Sequence, residues 1–217
     1  PICSGRKRSR HDRRIGWRWH CTKACNYRLG SHPREAIWQG VRVVPTAVSV
    51  RGDMAVAFYP GSFDPFHLGH LDVVEQAVAL FDELVIGVMH NPAKPSGMFD
   101  PEERAELIRE STAHLGNAVC VATYAGLTVE VATRINASMI VKSARTGADF
   151  EIEQQMAHTN NAATGIETVL LFCRPEHSFI SSTYIRQFVN YTGPQKTPLV
   201  PAPVLKALVA KQSKGAQ

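Results

Sequence analysis

The stretch that most constrains this chain runs from Ala55 to His70: Ala-Val-Ala-Phe-Tyr-Pro-Gly-Ser-Phe-Asp-Pro-Phe-His-Leu-Gly-His. A short apolar run ended by Pro60-Gly61 predicts a buried strand. Leu71, Val74, Val78 and Phe81 share one face of the helix that follows. Between the two elements lie the small residues Gly61 and Ser62, then His67, Gly69 and His70. Strand, small-residue turn and helix form a phosphate-binding layout. The first N–H groups of a helix are unpaired and carry the positive end of its dipole. Glycine lets an anion approach the main chain closely. Two histidines three apart share one side if both are helical.

From Met54 onward, strand-like and helix-like segments alternate. Strands are expected at 54–59, 84–89, 118–122, 138–141 and 168–172. All are nearly continuously apolar and rich in Val and Ile, as parallel strands covered on both faces must be. Asp100-Pro101-Glu102-Glu103 predicts a helix start with an Asp cap, Pro at the first position and Glu three residues after the cap. Thr128 and Asp149 are expected to cap the next two helices. Ser181, Ser182 and Thr183 open another, carried by Ile185, Phe188 and Val189. The fold class is therefore α/β: a doubly wound five-stranded parallel sheet with right-handed crossovers. Its ligand is expected at the strand C-termini where strand order reverses, at the turn after the first strand.

Charge divides the chain. Residues 1–53 hold 12 Lys/Arg against 3 Asp/Glu, while 54–217 hold 12 against 16. The overall balance of +5 thus belongs to the first quarter, and the mildly acidic remainder gives no argument for nucleic-acid binding. No run of 18 apolar residues exists, so no membrane span is expected. His20-Cys21 and Cys25 have no second Cys/His pair at zinc-finger spacing. Cys120 and Cys173 lie in apolar strand-like runs and read as reduced core residues of a cytoplasmic protein.

His67-x-Gly69-His70 after Gly61-Ser62-Phe63-Asp64-Pro65 resembles the signature of the nucleotidylyltransferase superfamily, which has a Rossmann-like fold. Asn91-Pro92-Ala93-Lys94 with Gly97-Met98-Phe99 resembles the phosphopantetheine adenylyltransferases within it. So do Lys142-Ser143-Ala144-Arg145 with Asp149-Phe150-Glu151-Ile152-Glu153, Ser178-Phe179-Ile180-Ser181-Ser182-Thr183, and Leu199-Val200-Pro201-Ala202-Pro203-Val204. The resemblance spans residues 54 to about 190. Ser143-Ala144 stands where that family has Gly-Leu, and Ile152 where it often has Tyr. Thr183-Tyr184-Ile185-Arg186, after Ser182, ends the late motif as S-T-x-I-R, commoner among nicotinamide-mononucleotide adenylyltransferases, so that acceptor stays open as an alternative.

The resemblance implies transfer of the adenylyl group of ATP to 4′-phosphopantetheine, by direct attack and without a covalent intermediate. It makes His70, Lys94 and Arg145 the catalytic group. Ser62, Phe63, His70, Ser143, Ala144, Arg145 and Glu153, with His177, Ser178, Phe179, Ile180, Ser181, Ser182 and Thr183, are expected to bind the nucleotide. Ser62, Lys94, Thr128 and Lys142 are expected to bind the acceptor, and His67 to assist. Mg²⁺ is expected with ATP, and no protein metal ligands are expected. Homohexamers are implied, with no nucleic-acid or membrane partner. Members of the family begin near Met54, so residues 1–53 are expected to be a disordered basic extension outside the native chain, with 54–217 the catalytic domain.

Overall fold

A computed structural model describes residues 36–38, 41–43, 55–94, 97–194 and 199–215. The chain separates into two units, residues 1–52 and 53–217. In the first, β1 (Ala36–Trp38) pairs antiparallel with β2 (Val41–Val43). The expected disordered extension and the His20, Cys21 and Cys25 group otherwise lie outside the described residues.

The second unit alternates as the sequence predicts. Its order is β3 (Val56–Gly61), α1 (Leu68–Val78), β4 (Glu83–His90), α2 (Pro101–Ser111), β5 (Val119–Ala125), α3 (Thr128–Arg134), β6 (Met139–Ala144), α4 (Gly147–Thr164), β7 (Glu167–Phe172), α5 (Ser182–Thr192) and α6 (Ala202–Gly215). Five parallel strands form one sheet in the order β5-β4-β3-β6-β7. Chain order runs outward from β3 through β4 to β5, then returns to β3's other side with β6.

The apolar runs are continuous because each strand feeds two cores. Ala57, Tyr59, Leu84, Ile86, Val88 and Val141 meet Val73 and Val74 of α1, Ile108 of α2, Ile185 of α5 and Leu208 of α6. Phe58, Val85 and Ile140 point the other way, onto Val131 and Ala132 of α3. The second face is thinly covered at its β7 side: α4, although 18 residues long, buries none of them.

Helix starts follow local chemistry, with two shifts from expectation. Asp100 accepts the Glu103 N–H at 2.8 Å, and Glu103 Oε2 accepts the Asp100 N–H at 2.9 Å, the reciprocal cap the sequence predicts. Thr128 is not a cap but the first residue of α3. The turn at Gly126 (φ +104°) delivers the chain early, and Leu127 takes the cap position. Asp149 is also not a cap. Thr146, three residues earlier, accepts the Asp149 N–H at 3.1 Å. This frees the Asp149 carboxylate for Arg145. Of the two expected thiols, Cys173 is free. Cys120 lies half-buried on edge strand β5. Among the described residues no helix is long and apolar enough to cross a membrane.

Removing the Asp100 cap as Asp100→Ala is expected to cost about 0.5–2 kcal/mol, read as a lower urea midpoint with unchanged slope. An unchanged midpoint would show the cap to be idle.

Candidate active site

The site begins where the sheet comes apart. β3 pairs with β4 over six positions, but with β6 at only two, Ala57–Met139 and Phe58–Ile140. Beyond them the ladder stops. A cleft of about 320 Å³ opens there. Its lining is His67, Gly69, His70, Ser143, Arg145, Asp149, Ile152, Glu153, Cys173, Ser181, Ser182 and Thr183. This is the switch point at which an open α/β sheet binds its ligand.

The turn after β3 is dense with aromatic rings. Phe63 takes a left-handed backbone (φ 48°), rare for a large residue and found where a site fixes its geometry. That bend folds its ring back over Gly61, where a Cβ would stand 2.7 Å from Phe63 Cζ. Phe63 meets the His70 ring edge-on at 5.0 Å, and Phe66 stacks on it at 5.6 Å.

His67 and His70 cap α1 reciprocally. His67 Nδ1 accepts the His70 N–H, and His70 Nδ1 accepts the His67 N–H, each at 3.3 Å. The two rings stack with centroids 3.6 Å apart. A ring nitrogen that accepts carries no proton, so each neutral imidazole is protonated at Nε2. Both rings line the cleft, and each has one donor left to offer there.

Burial pushes the His67 imidazole down to about 3, helped by the positive charge of Arg145 and by His177. His70 is likewise held well below the usual range, by burial first, then by His67 and Arg145. At neutral pH both are uncharged donors. The fixed charge is Arg145. Its Nε and its N–H each lie 3.2 Å from Asp149 Oδ2, and its Nη1 donates to the Ile180 carbonyl at 3.0 Å. Arg145 thus ties the end of β6 to the segment entering α5.

α5 supplies the opposite wall. Ser181 caps it by accepting the Tyr184 N–H at 3.2 Å, which leaves early N–H groups unpaired. Ser182 Oγ donates to the Pro65 carbonyl at 2.9 Å, and Arg186 Nη1 donates to the Asp64 carbonyl. The helix start is thereby fastened to the signature turn. Of its expected apolar face, Ile185 and Val189 are buried, while Phe188 is exposed.

The structure therefore brings together His70, Ser143, Arg145, Glu153, Ser181, Ser182 and Thr183, with His67. Lys142, on the opposite face of β6 from Ser143, sets Nζ 3.2 Å from Glu153 Oε2. That oxygen accepts no directed hydrogen bond, so the contact is one of charge. Ala144 and Ile180 are buried in the fold. Phe63 is buried behind the His70 ring, and Ser62 is exposed beside it. His177 and Ser178 belong to a short 3₁₀ segment, Pro175–His177, and its exit. Phe179 is 64% exposed. Lys94 is exposed in the turn after β4, and Thr128 opens α3 after β5. None of these last residues lines the cleft, although all follow strand C-termini. Asp149, Ile152 and Cys173 line it without having been singled out as ligands. For Asp149 the signal was present, since it stands four residues after Arg145 and a helical carboxylate at that spacing meets the guanidinium.

Among the described residues no cluster of three His, Cys, Asp or Glu could hold a metal ion. The arrangement offers neutral donors, one braced cation and a helix N-terminus, which together suit a polyphosphate.

A cytidylyltransferase-like family model matches residues 58–188. The phosphopantetheine adenylyltransferase of Synechococcus sp. (strain JA-2-3B'a(2-13)) is 47% identical over 154 residues, 70% of this chain and 95% of that protein. The phosphopantetheine adenylyltransferase of Corynebacterium diphtheriae is 44% identical over 158 residues, 73% of this chain and 98% of that protein. Among solved structures, a bifunctional NMN adenylyltransferase/ADP ribose pyrophosphatase from Francisella tularensis aligns with a TM-score of 0.52. It covers 75% of this chain and 54% of its own, at 16% identity, a likeness of fold alone.

The depressed histidines make stability depend on pH. Below the ordinary value of 6.5 the unfolded chain binds a proton that folded His67 refuses until about pH 3. Stability is therefore full above 6.5 and falls as pH drops from 6.5 toward 3. Urea midpoints at pH 7.5 and 4.5 are expected to differ less in His67→Thr than in the wild type. An equal or larger difference in the variant would contradict this origin.

Proposed function

This chain belongs to the phosphopantetheine adenylyltransferases of the cytidylyltransferase-like family, and from that membership and the cleft's geometry we infer that it transfers the adenylyl group of ATP to 4′-phosphopantetheine. A phosphate oxygen of the acceptor attacks the α-phosphorus. The bond to the β-phosphate oxygen breaks, and pyrophosphate leaves with that electron pair. The products are dephospho-coenzyme A and pyrophosphate. The attacking phosphate is anionic at neutral pH, so no base need activate it. What the protein must supply is alignment of two polyanions and donors for the charge that shifts as pyrophosphate departs.

The observation that carries this reading is the reciprocal histidine cap. It leaves His67 and His70 with their Nε2 protons free, fixed in place and uncharged over the cleft. His70 is proposed to donate to the α-phosphate, and Arg145 to offset phosphate charge. The N–H and hydroxyl groups of Ser181, Ser182 and Thr183 are proposed to take the β- and γ-phosphates. Lys94 and Lys142 are assigned to the acceptor side, with Lys94 reaching both substrates. The Mg²⁺ that accompanies ATP is proposed to enter as part of that substrate, held by the triphosphate and water.

The direct test is pyrophosphate release with ATP and a panel of acceptors. Turnover on phosphopantetheine is expected; turnover only on nicotinamide mononucleotide would move the chain to that acceptor. His70→Ala is expected to lower kcat about 10²–10³-fold, with ATP binding little changed. Ground-state ATP keeps its main-chain donors, while the missing proton acts on charge that grows only in the transition state. Collapse of ATP affinity with normal kcat would make His70 a binding residue only.

Residues 54–217 are proposed to form the nucleotidylyltransferase domain of a cytoplasmic homo-oligomer, a hexamer. Support for self-association lies in α4, which buries no residue and exposes Phe150, Ile152 and Met156, and in edge strand β7, with Phe172 61% exposed. Sedimentation of a chain begun at Met54 tests both points. An active oligomer is expected; an active monomer refutes the assembly, and an insoluble chain refutes the boundary.

A further inference from the structure

A buried ion pair behind the signature turn is not used by the mechanism above. Asp64 and Arg104 are each only 7% exposed, and neither lines the cleft. Arg104 Nε lies 3.4 Å from Asp64 Oδ1. The Asp64 carboxylate accepts the N–H of Met98 at 2.9 Å and of Phe99 at 3.0 Å. Arg104 donates to the Phe99 carbonyl at 2.7 Å and to the Ser62 carbonyl at 3.2 Å. Gly97 packs so tightly on the pair that a Cβ there would stand 1.9 Å from Asp64 Oδ2. The chain leaves β4 at His90, turns through Asn91–Lys94, and is fastened again at Gly97–Phe99. The fastening point is the turn that also carries His67 and His70.

Withdrawing two charges from water costs much of what their attraction returns, so such a pair is poor evidence for stability and better evidence for a fixed geometry. Asp64 joins the signature turn to the segment just past Lys94 directly, and Arg104 of α2 braces both from behind. We propose that Asp64 and Arg104 are positioning residues for adenylyl transfer, setting where the Lys94 segment stands relative to His70. This rests on the reading of Lys94 as a ligand of the substrate phosphates.

The test uses Arg104→Lys and Gly97→Ala, each alone and combined with Lys94→Ala. Arg104→Lys keeps a cation beside Asp64 but loses the forked contacts. Gly97→Ala forces the segment off the carboxylate and changes no charge. Each single variant is expected to lower kcat/KM for phosphopantetheine by about 10²-fold, the scale of an ångström-sized misplacement. ATP binding by titration calorimetry should stay unchanged, because the cleft lining is untouched. In the Lys94→Ala background the same substitutions should cost little more, because they act through the group already removed. Losses that multiply in the double variants, or wild-type kinetics in either single variant, would overturn the proposal. Loss of the thermal transition in both singles would also overturn it, by making the pair structural. If one single variant fails to fold, the other decides. A wild-type chain inert on phosphopantetheine is a separate result: it removes the adenylyl-transfer reading itself and the positioning role with it.

Discussion

The two-position ladder between β3 and β6 is the constraint on which the rest depends. Had those strands paired as fully as β3 and β4 do, the ladder would run on from Tyr59 opposite Val141 and close the gap in which the cleft opens. The ladder stops where chain order reverses. From there the loops after β3 and β6 diverge to opposite helical layers and leave strand ends free to receive a ligand. Each group that faces the opening arrives from a different strand end: the histidines after β3, Arg145 after β6, and Cys173 with the α5 start after β7. The parting of one strand pair thus converges elements distant in sequence.

Electrostatically the cleft separates roles that one residue type could have shared. The histidines sit among Phe63 and Phe66 and beside Arg145, so they stay neutral and donate. Arg145 carries the charge, and its orientation is held by Asp149 and the Ile180 carbonyl. A donor that is already desolvated and aimed needs no reorganisation when charge shifts during reaction. The reciprocal cap achieves this economically: the N–H groups that a helix start must satisfy are satisfied by the same rings that face the cleft.

Much of this was legible in the sequence because it is local. Unbroken apolar runs marked the five strands, and Asp100 with Glu103 marked a helix start within four residues. Thr128 and Asp149 were misplaced as caps for equally local reasons, since a nearby turn glycine and a competing threonine shift a helix start by one to three residues. What composition and spacing could not supply was long-range placement. Nothing in the pattern around Cys173 says that it faces the cleft. Nor does it say that Lys142 spends its charge on Glu153. The roles given to Lys94 and Thr128 came from resemblance, and their own spacing carries no such message.

The exposed course of α4 has a consequence for motion. Local opening free energies track the apolar contacts a segment must break. Within a single copy, and among the described residues, a long helix with no residue in the buried class is held by few such contacts. Asp149, Ile152 and Glu153 stand on its first two turns, so one wall of the cleft belongs to a thinly packed helix while the histidine wall belongs to the core. In a single copy, amide hydrogens along α4 are expected to exchange ahead of those on α1. The cleft joins a stiff side to a soft one, and any ligand that spans it orders the soft side as it binds.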